Sequence, residues 1–235
     1  MDRDLPKVDF TVTGGTLYLV AGPIGNLGDI TLRALQVLRQ VDWVACEDTR
    51  HSRKLLSHFH ISKHLLALHD HNERQQTVVL LEKLHQGDTV ALLSDAGTPL
   101  ISDPGFYLVR ETLAAGLKVE ALPGPCALIQ GLVLGGLPAV PFTFLGFLPP
   151  KSAARRRIFS EWKEAKHTLV FYESTHRIQK FLADALAILG DRPVVLGREL
   201  TKKFEEVFRG TLAQASRHEA LRSWKGEFVV LLGGL

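Results

Sequence analysis

Cysteine is nearly absent: Cys46 and Cys126 are the only two in 235 residues, and each has apolar neighbours. Two such thiols argue against a disulfide framework and fit a reducing, cytoplasmic compartment. The opening stretch MDRDLPKVDFTVTGG carries acidic side chains and lacks the apolar centre of a signal peptide. Residues 1–14 are therefore expected to form a flexible leader. No apolar run has the length of a membrane span. The nearest, LIQGLVLGGL at Leu128–Leu137, is too short and too rich in glycine. Internal repeats and low-complexity tracts are also missing. Excess charge of one sign is small, 28 basic against 25 acidic residues giving +3, with a pI near 8.9. That balance permits a polyanionic partner without requiring one.

What is present is an ordinary globular composition, 46% hydrophobic and 23% charged. Short apolar runs read as strands: TLYLVA, DWVACE, LLALH, DTVALLS and LKVEALP in the first half. Stretches with helical spacing separate them, and this alternation predicts a largely parallel sheet covered by helices. Each of these expected strands ends in a polar or glycine-rich loop: GPIGN, EDTR, HDHNE, SDAGTP and PGP. Such sheets place their ligand loops at the carboxyl ends of the strands. After Pro123 the apolar helix CALIQGLVLGG leads into LPAVPFTFLGFLPPKS, which reads as a partly buried linker. Strand–helix alternation then resumes with TLVFYE, RPVVLG and EFVVLLGG. The expected fold class is α/β, as two α/β domains: 15–125 and 151–235, joined by a helix and linker over 126–150.

The stretch SDAGTPLISDPG holds more turn-forming and small polar residues than a plain turn requires. Gly97 allows close backbone approach, Ser94, Asp95 and Thr98 offer polar groups, and Pro99 and Pro104 stiffen the loop. Asp103 is placed to cap the next helix. GPIGNLG spaces its glycines as G-x-x-G-x-x-G, so the dinucleotide fingerprint G-x-G-x-x-G is not met. This disfavours a nicotinamide-dependent dehydrogenase. Six histidines fall between His51 and His71, but HDH would set His69 and His71 on opposite sides of an extended segment. No cysteine or tight carboxylate set joins them, so no metal site is expected. RHSRK and KSAARRR are basic clusters suited to phosphate, or to plain solvation of helix faces.

The ordered series GPIGNLGDITLRAL, CEDTRHSRKLL, HDHNE, LLSDAGTPLISDPG, PGPCA, FLGFLPP, FYESTHRI and GRELTKKFEEVFRG resembles the ribosomal RNA small-subunit methyltransferase I family, within the tetrapyrrole methylase superfamily. The resemblance runs from about Thr16 to Leu232. It implies two α/β domains of the tetrapyrrole methylase type with a ligand cleft between them, S-adenosylmethionine (SAM) as cofactor, and a homodimer. The implied activity is 2′-O-methylation of a cytidine ribose in bacterial 16S rRNA, on free RNA or the assembled small ribosomal subunit. Carried over, the cofactor-binding set is Gly22, Pro23, Ser94, Asp95, Ala96, Gly97, Thr98, Ile101, Pro125, Cys126 and Ala127. Where tetrapyrrole methylases have G-D-P, this chain has Gly97-Thr98-Pro99, and Asp95 is the carboxylate available to take over. Family members often carry a further C-terminal segment, and this sequence stops at Leu235, so a shortened or short natural form is expected.

A ribose hydroxyl is a very weak acid, so a general base or a nearby cation would assist transfer. Glu47, Glu199 and Lys202 are the expected catalytic residues, from EDTR and RELTK, with Asp48 as a further candidate. Arg50, Arg53, Lys54, His69, Asn72, Lys151, Arg155, Arg156 and Arg157 are the expected RNA contacts. A structural ion pair between Glu47 and Arg50 is the alternative use of those two. Two alternatives to the rRNA enzyme are a small-molecule tetrapyrrole methylase and a non-catalytic RNA-binding or assembly protein on a methylase fold. The first would show G-D-P and lack the basic clusters.

Overall fold

In a computed structural model, residues 10–218 and 225–235 are described. The chain divides into two compact units, Met1–Cys126 and Ala127–Leu235. The first carries strands β1 (Thr16–Val20), β2 (Trp43–Cys46), β3 (His64–Ala67), β4 (Val90–Leu93) and β5 (Lys118–Ala121). They form one sheet in the order β3-β2-β4-β1-β5, with every pairing parallel. β4 is buried at all four positions, because a parallel sheet covered on both faces leaves its central strands no wet side. Helices α1 (Leu32–Gln40), α2 (Thr49–His58), α3 (Glu73–His85) and α4 (Phe106–Ala114) make the crossovers. One apolar cluster centres on Tyr18, Leu38 and Leu93, and another on Leu17, Leu80 and Leu92.

The strand order matters for function. β1 and β4 are neighbours, yet the chain leaves them towards opposite edges, to β2 and to β5. Their connections therefore run to opposite edges from a topological switch point, where open parallel sheets bind ligands.

The second unit begins with α5 (Ala127–Gly135) and adds β6 (Phe142–Phe147), α6 (Ser152–Glu161), β7 (Thr168–Ser174), α7 (Ile178–Leu189), β8 (Pro193–Arg198), β9 (Glu206–Thr211), α8 (Leu212–Arg217) and β10 (Glu227–Leu232). Its sheet runs β6-β7-β10-β8-β9 and is mixed: β6 and β7 are parallel, and the other pairs antiparallel. A cluster around Phe159, Phe171 and Phe181 forms its core.

The structure differs from the sequence reading at several places. The stretch read as a linker contains β6, an edge strand beside β7; its flanking prolines are compatible with an edge position. The expected connecting helix, α5, belongs to the second unit. Gly131 lets it approach the sheet, since a Cβ there would lie 2.6 Å from Val229 Cγ1. Of the expected leader, residues 1–9 lie outside the described residues. Phe10 and Val12 lie against the first core, and Gln40 Nε2 donates to the Phe10 carbonyl (2.8 Å).

Candidate functional site

The loops after β1, β2, β4 and β5 are tied together at the carboxyl end of the first sheet. Gly22 N–H donates to the Gly97 carbonyl (3.0 Å) and Gly97 N–H donates back to Gly22 (2.9 Å), a short antiparallel bridge. A Cβ on Gly22 would sit 2.6 Å from the Ser94 carbonyl oxygen, so the approach requires glycine. Gly97 adopts φ +76°, open to glycine at little cost. Thr98 Oγ1 donates to the Pro125 carbonyl (3.0 Å), fixing the loop after β5. Asp95 Oδ1 accepts from the Asp48 N–H (3.3 Å), fixing the loop after β2.

These contacts revise two expected roles. Ser94 is buried; its hydroxyl donates to the Gly97 carbonyl and accepts from Gly22 N–H (3.4 Å). Thr98 likewise spends its proton on the protein, at the Pro125 carbonyl of the loop after β5. Both hydroxyls build the wall, where the sequence reading had them bonding a ligand. What remains for a ligand is backbone at Ala96, which is exposed, with Asp95, Ile101 and Cys126 partly exposed beside it and Gly97 and Pro23 buried beneath. Ala127 starts α5, whose Leu128 N–H is capped by the Tyr172 hydroxyl (3.0 Å). A backbone-lined, pre-tied cradle with one nearby carboxylate suits a cationic, amphipathic cofactor.

Glu47 stands at the end of β2 with no ion-pair partner among the described residues. Partial desolvation, then the charges of Asp95 and Asp70, push its pKa above the ordinary carboxylate range, while His69 works against them. The alternative pair with Arg50 does not form. Arg50, 85% exposed, pairs instead with Asp48 (3.4 Å), whose carboxylate also caps α2 by accepting the Arg50 N–H (2.8 Å). Those bonds hold the Asp48 pKa below its usual range. Arg53 and Lys54 are exposed on the same helix.

The HDHNE segment is a turn. Asn72 Oδ1 accepts from His69 N–H (2.8 Å) and its Nδ2 donates to the Ala67 carbonyl (3.0 Å). Asn72 thus holds the loop, a use that competes with the expected RNA contact. The turn brings the His69 and His71 rings to 6.0 Å, edge to face, which corrects their expected opposite sides. Among the described residues, no group of three or more His, Cys, Asp or Glu is arranged to hold a metal.

Sequence reasoning missed Glu73. Its Oε1 accepts from the N–H groups of Gly105 (3.0 Å), Tyr107 (2.8 Å) and Leu108 (3.3 Å), capping α4 from another element. Asp103 was expected to do this. The N-cap residue is Gly105, which has no side chain to accept the free amides, and that lack was the available signal.

In the second unit, Glu199 and Lys202 are partners. Lys202 Nζ lies 2.8 Å from Glu199 Oε1 and 3.3 Å from Glu227 Oε2, and Glu199 Oε1 also accepts the Glu227 N–H (3.1 Å). Burial alone would raise the Glu199 pKa; Lys202 and that N–H overcome it and hold the carboxyl below its ordinary range. Glu199 and Thr201 adopt φ of +49° and +66°, a strained backbone for such residues.

Of the KSAARRR cluster, Lys151 and Arg157 are exposed, with Arg157 paired to Glu161 (3.2 Å), and Arg156 is half-exposed near Asp184 (3.5 Å). Arg155 is a correction. It is 1% exposed, pairs with Asp184, and donates to the Pro149 and Pro150 carbonyls (3.4 and 3.3 Å). A residue so enclosed cannot meet RNA.

At the opposite pole of the first sheet, a polar groove is lined by Asp42, Trp43, Lys63, His64 and Asp88 among others. Its groups bond one another, as Trp43 Nε1 to Asp88 (3.0 Å) and Lys63 Nζ to the Val41 carbonyl (2.6 Å). It lies away from the switch-point loops.

Comparisons with known proteins agree with this architecture. Residues 16–216 match the model of the Tetrapyrrole (Corrin/Porphyrin) Methylases. The chain is 53% identical to "Ribosomal RNA small subunit methyltransferase I" of Vibrio cholerae serotype O1, covering 95% of this chain and 80% of that protein. The protein of that name from Escherichia coli O157:H7 is 52% identical, over 94% and 78%. Among solved structures, diphthine synthase superposes with a TM-score of 0.72 at 14% identity, covering 93% of this chain and 90% of that one. The cobalt precorrin-4 methyltransferase gives 0.66 at 18%, over 93% and 95%. The latter two speak for the fold alone. Matched in sequence along nearly its whole length, the chain belongs to the ribosomal RNA small subunit methyltransferase I family of tetrapyrrole methylases.

Proposed function

We propose that this protein is a SAM-dependent methyltransferase that modifies a ribose 2′-oxygen of a cytidine in small-subunit rRNA. The observation that carries the reading is the union of four loops at one switch point, with an unpaired, elevated-pKa carboxylate beside them. Asp95, Ala96, Ile101 and Cys126 would hold SAM, largely through backbone, against the wall that Gly22 and Gly97 close between them. When bound, that group supplies an electrophilic methyl on a sulfonium.

The protein's own part is positioning and proton transfer. A cradle tied before binding orients the donor without further ordering, which favours in-line displacement. Glu47 accepts the proton from the 2′-hydroxyl as the oxygen–carbon bond forms. Its raised pKa makes it a stronger base than an ordinary glutamate. Glu199 suits that task less well, since its carboxylate already serves Lys202 and the Glu227 amide. Arg53 and Lys54, exposed near Glu47 in sequence, would meet phosphate. The two relatives' names favour rRNA over a small tetrapyrrole, and so does Thr98 where the tetrapyrrole pattern has aspartate.

We also read the protein as a homodimer. Ile129 and Val133, one turn apart on α5, are exposed, as are Val140 and Phe147. Equilibrium sedimentation would measure this. No helix of the described residues is long and apolar enough to cross a membrane.

Calorimetric titration with SAM, paired with tritiated methyl transfer to small subunits from an unmethylated strain, tests the main reading. Binding with transfer to a ribose oxygen is expected. Absence of SAM binding would remove the cradle as a cofactor site. Binding without transfer to the subunit would leave a methylase of another substrate.

A further inference from the structure

We infer that the first turn of α4 and the first turn of α3 together form a stacking platform for single-stranded RNA flanking the modified nucleotide. This rests on the proposed rRNA substrate and adds a contact surface outside the cofactor loops and the basic helix α2.

The two turns are fastened by Glu73, whose carboxylate receives three amides of α4. The next residue, Arg74, consequently lies over the ring of Tyr107, with its guanidinium carbon 5.4 Å from the centroid. Arg110, one turn along α4, places its own 4.7 Å from the same centroid. Two cations thus lie close to the Tyr107 ring. Arg110 has Glu111 as a partner (2.7 Å), but Arg74 has no carboxylate partner among the described residues. Beside Tyr107, Phe106 is 67% exposed, a large ring left in water at the start of a helix.

Exposed aromatics interleaved with arginine match the chemistry of unpaired RNA: bases stack on rings and guanidinium planes, and phosphates neutralise the cations. Geometry sets the location. Both helices start where the chain leaves the carboxyl ends of β3 and β4, the pole that carries Glu47 and the glycine bridge. The occupant is therefore RNA reaching the same pole, with one base on Phe106 and phosphate at Arg74 and Arg110.

The test uses the full chain, a short single-stranded RNA oligonucleotide and unmethylated small subunits. Phe106→Ala is expected to weaken oligonucleotide binding about tenfold, the effect of losing one stacked base. Arg74→Gln with Arg110→Gln is expected to lower the slope of log affinity against log salt by about 1.4, for two lost phosphate contacts. SAM affinity, measured by calorimetry on the same samples, stays at the wild-type value. If wild-type protein methylates the subunit while these variants bind RNA as tightly and with the same slope, the platform is overturned and the enzyme reading stands. If Phe106→Ala instead dissociates a dimer in sedimentation, the face is a contact between copies and the inference fails. Wild-type protein that binds neither RNA nor subunit overturns both readings.

Discussion

In the first unit the carboxylates of Glu47, Asp48, Glu73 and Asp95 stand at strand and helix ends, bonded to backbone amides or left unpaired. In the second unit Glu173 is fully buried against Arg177 (3.1 Å), and Asp184 is nearly buried against Arg155. The sheets differ in the same sense. The all-parallel sheet gathers its carboxyl-end loops at one pole, so polar groups there can shape a site. The mixed sheet sends strands both ways and gathers no such pole, and its charges tie loops and helices down. Similar residue types thus gather around one cluster of loops in the first half and pin helices and loops in the second.

That contrast can be broken experimentally, and the largest effect should come from Glu47→Gln. The expected loss in kcat is about 100-fold to 10,000-fold, the range for a general base, with SAM affinity unchanged. In the wild type, kcat should fall as pH drops through a value above the ordinary glutamate pKa of about 4.3, because protonated Glu47 cannot accept the proton. A small effect with an unaltered pH profile would make Glu47 as structural as Asp184.

Asp184→Ala comes next. It leaves the Arg155 cation buried without its partner, and about 3–5 kcal/mol of stability should be lost in urea unfolding. Replacing both, as Arg155→Met with Asp184→Leu, should recover most of it. Failure to recover would mean the pair does more than hold α6 to α7.

Gly97→Ala tests the cradle. A side chain at φ +76° costs about 1–2 kcal/mol, and its Cβ would meet Ile24 Cγ2 at 3.2 Å. SAM affinity should drop about tenfold, with little change in second-unit stability by hydrogen exchange. The smallest effect belongs to Glu199→Gln. The Glu199 pKa is held below its unfolded value, so its stabilising contribution is present above that value and lost as pH falls through the folded pKa. The stability gap between wild type and variant should therefore be widest near neutrality and close in acid.

Much of this was legible in sequence because the central parallel strands are short, mostly apolar and followed by polar loops. TLYLVA and DTVALLS read directly as β1 and β4, and the loops that follow them are the ones that meet. Other features depend on partners distant in sequence. KSAARRR looks uniformly basic, yet the helical turn sends Arg155 inward to Asp184, which only the fold brings near. EDTRHS reads as a polar run, but Asp48 caps a helix there. Prolines on both sides of β6 hid an edge strand, and the hydroxyls of Ser94 and Thr98 gave no sign that one bonds its own loop and the other the loop after β5.

The two-way amide bridge between Gly22 and Gly97 also bears on kinetics. It fastens the start of the loop after β4 to the loop after β1 by two amide bonds, which restrain it from swinging. A ligand entering such a wall meets a surface already in its final form, so association should follow a single exponential whose rate rises linearly with concentration. Residence time is then governed by the contacts made, and turnover need not wait for that loop to reopen.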